Sequence, residues 1–233
     1  YALDEFFNET DVIVFCKFYN LELMRRYHNA GKKVVWFADE SIFGPDIPQA
    51  LENQEILDCI ISTCKKYTDR LRDTGFSHPK VEIIHHHHCN FSNDIVPFRD
   101  KVLRVAYVGE PSQMHHKDGV KKVCDSLGVE FVLKGEKTKD FDDFADIDIA
   151  LAYIDPFSEN EGMYVREKTW QDRLDCRSNA KIVNYAAFGI PSILSRYASY
   201  CEVAEPYDQF CLFVDTPDEL ENELRRLIKD TSL

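Results

Sequence analysis

The 233-residue chain contains no Cys-x-x-Cys pair, no apolar run of membrane-spanning length, no excess of basic residues and no Gly-x-Gly-x-x-Gly turn. Its eight cysteines stand at positions 16, 59, 64, 89, 124, 176, 201 and 211, a spacing that argues against a metal or disulfide framework. Reduced thiols that pack as small apolar residues, in a cytoplasmic protein, are the expectation. The lack of long apolar runs argues against a membrane-spanning helix. With 28 Lys and Arg against 41 Asp and Glu, the formal charge is −13. A chain this acidic lacks the basic footprint of a nucleic-acid partner, whereas a nucleotide needs only a local basic pocket. The chain begins at Tyr1 without an initiator Met or a signal-peptide pattern, so it is expected to be part of a longer multidomain protein. Short-period repeats and low-complexity tracts are absent too.

What is present alternates between short apolar runs and helical patterns. Asp11 to Lys17 predicts a strand buried on both faces, and Lys33 to Phe37 a second buried strand that delivers Asp39 and Glu40 to its carboxyl end. Between them Leu21 to Ala30 is a helix stopped by Gly31. Cys59 to Thr63 and Val81 to Ile84 are further strands, with a helix from Lys65 to Thr74, and His85 to His88 follow the last of them. Phe91 to Lys101 is rich in Asn, Asp, Pro and Arg and reads as a linker. A second series begins with Arg104 to Val108, then a helix over 118–127, strands over 129–133 and 147–153, a strand over 210–214 and a terminal helix over 218–229. Such alternation predicts βαβ units and parallel sheets. The expected fold is α/β, with two Rossmann-like halves, residues 1–98 and 99–233, whose strand ends face one another across a cleft.

The densest signal lies in residues 177–195. Ser178 or Asn179 can cap a helix, Ile182, Val183, Ala186 and Ala187 give it an apolar face, Gly189 ends it and Pro191 precedes a short strand. Arg177 and Lys181 put two cations at the first turn, where free N–H groups favour a phosphate or diphosphate. The same residues also fit a plain solvated turn.

The pattern Asn-x-Lys-x-x-x-Asn-Tyr-x-Ala-x-Gly-x-Pro over 179–191 resembles the nucleotide-sugar-binding half of GT-B glycosyltransferases. Gly31-Lys32-Lys33-Val34-Val35, the strand ending in Ser62-Thr63, and Val81-Glu82-Ile83-Ile84-His85-His86 resemble segments of the acceptor half of that family. His85 stands where a proline is common, and the strands that usually open the first half are missing, so that half is shortened. The resemblance implies a metal-independent transferase, with no cofactor, that moves a sugar from a nucleoside diphosphate donor to a glycan hydroxyl. Uridine diphosphate is the default donor nucleotide. The compact format also resembles chlorovirus-type rhamnosyltransferase domains, which implies UDP-L-rhamnose.

The candidate residues follow from this. Asp39, Glu40 and His86 are candidate bases for the acceptor hydroxyl, and Asp39 fits a turn-capping role equally well. Gly109 would let the backbone approach the donor. Arg177, Asn179 and Lys181 are candidate diphosphate and nucleotide contacts, and Tyr200 and Glu202 candidate ribose contacts. The four histidines show no matching set of metal ligands elsewhere. Two alternatives remain open: a non-catalytic sugar- or nucleotide-binding module, and a nucleotide-sugar epimerase of the same architecture.

Overall fold

A computed structural model describes residues 9–16, 19–38, 47–77, 80–91, 94–114, 116–135, 144–154, 172, 174–205 and 211–230. The chain divides into two compact units, residues 1–85 with 175–178, and residues 86–174 with 179–233. Each is built on a parallel sheet, as the alternation of strand and helix patterns requires.

In the first unit the strands β1 (Val12–Cys16), β2 (Lys33–Phe37), β3 (Cys59–Ser62) and β4 (Lys80–Ile83) lie side by side in sequence order. Helices α1 (Leu21–Asn29), α2 (Ile47–Glu52) and α3 (Lys65–Asp73) connect them. The Asn20 side chain caps α1 by accepting from Leu23 N at 2.9 Å, and Gly31 leaves it at φ 74°. Every connection steps the same way across the sheet, so right-handed crossovers deliver all three helices to one face. That face holds the core, with Phe15, Val34, Trp36 and Ile60 packed among Met24, Tyr27, Ala50, Tyr67 and Leu71.

The opposite face is the reason that one expectation fails. β1 is not buried on both sides: Val12 and Val14 are each 50% exposed and Cys16 is exposed, while Phe15 is buried. The strand is an edge, and among the described residues no connecting helix reaches its second face. Helix α2, six residues with Pro48 near its start, has no counterpart among the expected elements.

Asp58 ties β2 to β3. Its carboxylate accepts from Lys33 Nζ at 2.7 Å and from Val34 N at 2.9 Å. Burial alone would push its pKa up, but these two donors outweigh it and hold the group below its ordinary value. A carboxylate with a depressed folded pKa adds stability above its unfolded pKa and loses it as pH falls through the folded one.

In the second unit β5 (Arg104–Val108), β6 (Glu130–Lys134), β7 (Ile149–Ala152), β8 (Ser192–Ser195) and β9 (Cys211–Val214) form a parallel sheet in the order β6-β5-β7-β8-β9. Helix α4 (Lys117–Leu127) joins β5 to β6. Helices α5 (Ala180–Ala187) and α6 (Ala198–Ala204) follow β7 and β8, and α7 (Pro217–Lys229) ends the unit. One face of the sheet packs Val105, Tyr107, Ile149, Leu151 and Ile193 against α4 and α7. The other packs Ala106, Val108, Ala150, Ala152 and Leu194 against Ile182, Tyr185 and Tyr200 of α5 and α6. This sheet is covered on both sides, as parallel sheets generally are.

All eight cysteines are unpaired, and Cys64, Cys124, Cys176 and Cys211 are buried. Burial pushes the Cys124 thiol up to about 11, whereas Cys16 is exposed. Alkylation at pH 8 followed by peptide mapping is expected to modify Cys16 and spare Cys124 in the native protein, with both labelled in urea. Asp58→Asn is expected to lower the unfolding free energy by about 1 kcal/mol at pH 7. In urea titrations at successively lower pH, the gap to wild type is expected to close as the carboxylate of the wild type is protonated.

Candidate active site

The order of the second sheet reverses once. β6 lies on one side of β5, and β7, β8 and β9 extend on the other. Ligands of open parallel sheets bind beyond the carboxyl ends of the strands at such a reversal, here where β5 and β7 end.

At the end of β5 the chain enters Gly109 at φ 148°. Gly109 N donates to Lys134 O at 2.7 Å, which holds the β5 end against β6. Lys181, in the first turn of α5, reaches the same place: its Nζ donates to Val108 O and lies 4.0 Å from the centroid of the Tyr107 ring. A Cβ on Gly109 would collide with that ammonium and would also lie 3.2 Å from Lys181 Cε and 3.3 Å from Tyr107 Cε1. Gly135, at φ 146°, leans on Gly109 in turn; a Cβ there would lie 2.7 Å from the Gly109 carbonyl carbon. Gly109 and Lys181, proposed separately from sequence, are therefore in contact. Tyr107 and Gly135 complete the cluster and escaped sequence reasoning. A lone tyrosine inside a strand and a glycine after one carry no distinctive signal, except that Gly135 follows β6 as Gly109 follows β5.

The end of β7 is fixed by hydroxyl groups. Ser195 Oγ accepts from Ile154 N at 2.9 Å and donates to Ile154 O at 3.1 Å, and Tyr197 OH donates to the same carbonyl at 2.7 Å. Tyr185 OH donates to Leu151 O at 3.0 Å. Complete burial raises the Tyr185 phenol well above its ordinary pKa, so it remains a protonated donor and is no candidate base.

Asn179 is the N-cap residue of α5, but its side chain makes no capping bond to the helix. It is fully buried, and its Oδ1 accepts from His86 N at 3.0 Å. That bond is the first of a series. Cys89 N donates to Asn184 Oδ1 at 2.8 Å, Asn90 Nδ2 to Ala187 O at 2.8 Å, and Val96 N to Phe188 O at 2.9 Å. The described residues between His86 and Val96 thus line α5 from its start to its end. A separate cavity of about 910 Å³ lies at the other end of the sheet, beside the first residues of β7, β8 and β9 (Ile149, Ser192 and Cys211), and His86, His87 and His88 line it.

The remaining candidates are dispersed. Tyr200 is buried with its ring 5.7 Å from that of Tyr197, and Glu202 is half-buried on α6. Arg177 is half-buried and belongs to the first unit. Asp39 and Glu40 lie outside the described residues. His116 meets Glu221 of α7 at 2.9 Å. Among the described residues no three His, Cys, Asp or Glu side chains come together as a metal site, and no helix is long and apolar enough to cross a membrane.

If the glycine contact is what shapes the end of β5, Gly135→Ala is expected to destabilise the protein by roughly 1–3 kcal/mol through strain at positive φ and the clash with Gly109. Gly128→Ala, also at positive φ (68°) but with open space around it, isolates the backbone part. Chemical denaturation of the two variants measures the difference, and equal losses would dismiss the contact.

No family model and no curated protein matches the sequence. Solved structures do match in fold. One is the lipopolysaccharide outer core galactosyltransferase WaaB in its apo form, at a TM-score of 0.51 and 12% identity, over 98% of this chain and 70% of that one. A second is the sucrose-phosphate synthase of Thermosynechococcus elongatus, at 0.55 and 11%, over 99% and 68%. A third is the pneumococcal O-GlcNAc transferase GtfA in complex with UDP and GlcNAc, at 0.50 and 11%, over 97% and 53%. At such identities the likeness is one of fold, and it gives this chain a GT-B-like architecture of two Rossmann-like units.

Proposed function

We propose that this chain is a glycosyltransferase that moves a sugar from a nucleoside diphosphate donor to a glycan hydroxyl without a metal ion. The observation that carries the reading is the ammonium of Lys181, held beside Gly109 at the reversal of the second sheet and next to the start of α5. A nucleotide diphosphate there would meet a cation and the positive end of a helix. As the glycosidic bond breaks, negative charge grows on the leaving diphosphate, and both groups stabilise it more in the transition state than in the ground state. This supplies by protein groups what a metal supplies elsewhere.

Arg177, four residues upstream in the chain, is the second cation of this reading, and Tyr200 and Glu202 its ribose contacts. Asn179 acts by anchoring His86 as well as by any donor contact. Residues 1–98 take the acceptor, with Asp39, Glu40 or His86 removing its proton, and residues 99–233 take the donor. UDP-sugars are the first donors to test, with UDP-L-rhamnose among them. Two of the structures similar in fold carry sugar-transfer names, and one was determined with UDP.

The shortened first half that the family resemblance implies favours one second reading, a nucleotide-sugar-binding module without turnover. Calorimetric titration with UDP, GDP, CDP and TDP, with and without chelator, separates the readings when paired with an assay of UDP-sugar consumption. UDP binding that survives chelation, together with consumption that requires an acceptor, is the expected result. Lys181→Ala is expected to weaken UDP binding roughly tenfold to a hundredfold, the range for a lost charge-assisted bond. Binding without consumption would support the module, and equal affinity of Lys181→Ala and wild type would remove Lys181 from the site.

A further inference from the structure

Lys181 and Tyr107 come from opposite sides of the same sheet. Lys181 belongs to α5, which packs on the face formed by Ala106, Val108 and Ala152, whereas Tyr107 packs with α4 and α7 on the other face. They meet only because the lysine reaches over the carboxyl edge of β5, where its ammonium lies 4.0 Å from the ring centroid. We infer that Tyr107 and Gly109 are positioning residues: together they form a seat that holds the Lys181 ammonium at the sheet reversal, poised for a phosphate oxygen of the ligand. The inference rests on the assignment of Lys181 to the donor site.

Three contacts make the seat. The Tyr107 ring face attracts the cation through its quadrupole, an effect that grows as water is excluded; Tyr107 is fully buried. The Val108 carbonyl accepts from Nζ. The missing Cβ of Gly109 leaves the volume that Nζ and Cε occupy. Gly109 therefore acts on the ligand indirectly: the space its hydrogen leaves is filled by the lysine and not by the donor. Gly135 supports the seat from behind by accommodating the Gly109 carbonyl. A free lysine side chain samples many rotamers and loses that freedom on ordering. A lysine already ordered before an anion binds loses less of it on binding, so the seat raises affinity by pre-organisation.

The test has a ligand-free arm and a ligand arm. In protein labelled with 13C-lysine, the Hε–Cε signal assigned by its loss in Lys181→Arg is expected to be shifted upfield by the Tyr107 ring current. The shift should persist in Tyr107→Phe and vanish in Tyr107→Leu and Gly109→Ala. A Lys181 signal at the position of solvent-exposed lysines in the wild type would overturn the seat. In UDP titrations, Tyr107→Leu and Gly109→Ala are expected to weaken binding roughly tenfold, within the span of a desolvated cation–π contact, while Tyr107→Phe stays near wild type. In a Lys181→Ala background, Tyr107→Leu should add no further loss. An equal loss in that background would mean that the ring only supports the fold, and would overturn the inference. A shifted lysine signal with no UDP binding by the wild type would instead refute the donor-site reading and leave the seat itself standing.

Discussion

Right-handed crossover is the constraint from which both units follow. In a parallel sheet the side on which a connecting helix lies is fixed by the direction in which the chain steps to its next strand. The first unit steps in one direction throughout, so α1, α2 and α3 share a face and β1 keeps Val12 and Val14 half exposed. The second unit steps one way from β5 to β6 and the other way from β7 to β9. Its helices are thereby sent to both faces, with α4 on the Tyr107 side and α5 and α6 on the Val108 side. Among the described residues one sheet ends with a single core and the other with two, from the same local rule applied to different strand orders.

The reversal has a second consequence at atomic scale. Helices that leave neighbouring strand ends in opposite directions open a gap at the carboxyl edge, and backbone and side chains from both faces can meet in it. Gly109 and Gly135 permit the closest approach there, because a Cβ on either would strike a neighbour. The ammonium of Lys181 then occupies space that a side chain on residue 109 would fill. Packing and electrostatics are inseparable at this point. The charge is where it is because two residues lack side chains.

Much of this was legible in the sequence. Arg104 to Val108 appears as β5 with the expected bounds, and the helix ended by Gly189 appears as α5, with Gly189 at φ 69°. These elements are readable because burial on both faces gives continuous apolar runs and because a left-handed helix stop favours glycine. β1 misled for a related reason: an apolar run shows that a strand is apolar, not that its second face has a partner. Helix α6 offered only seven residues, Ala198–Ala204, too few to show a period. Asn179 illustrates a different limit. Its position before a helix suggested a cap or a ligand contact, while its side chain is taken by His86 N, 93 positions away in sequence. The hydrogen bonds from Cys89 N to Asn184 and from Asn90 to the Ala187 carbonyl are equally non-local. Sequence pattern reports what repeats locally, and these contacts do not repeat.

The topology also bears on which unit is suited to hold an anionic ligand, independently of any single side chain. A sheet whose strands run in sequence order has no reversal, so adjacent connections all pass to the same side and no gap opens between neighbouring strand ends. The described strands of the first unit form such a sheet, and those of the second do not. The acidic balance of the whole chain points the same way. At a formal charge of −13, long-range attraction does not draw an anion to this protein, so any anion site on it would depend on short-range contact with a cation in a fixed place. A lysine clamped between an aromatic ring and a backbone carbonyl, at the one reversal among the described strands, meets that requirement in a way that an exposed basic surface would not.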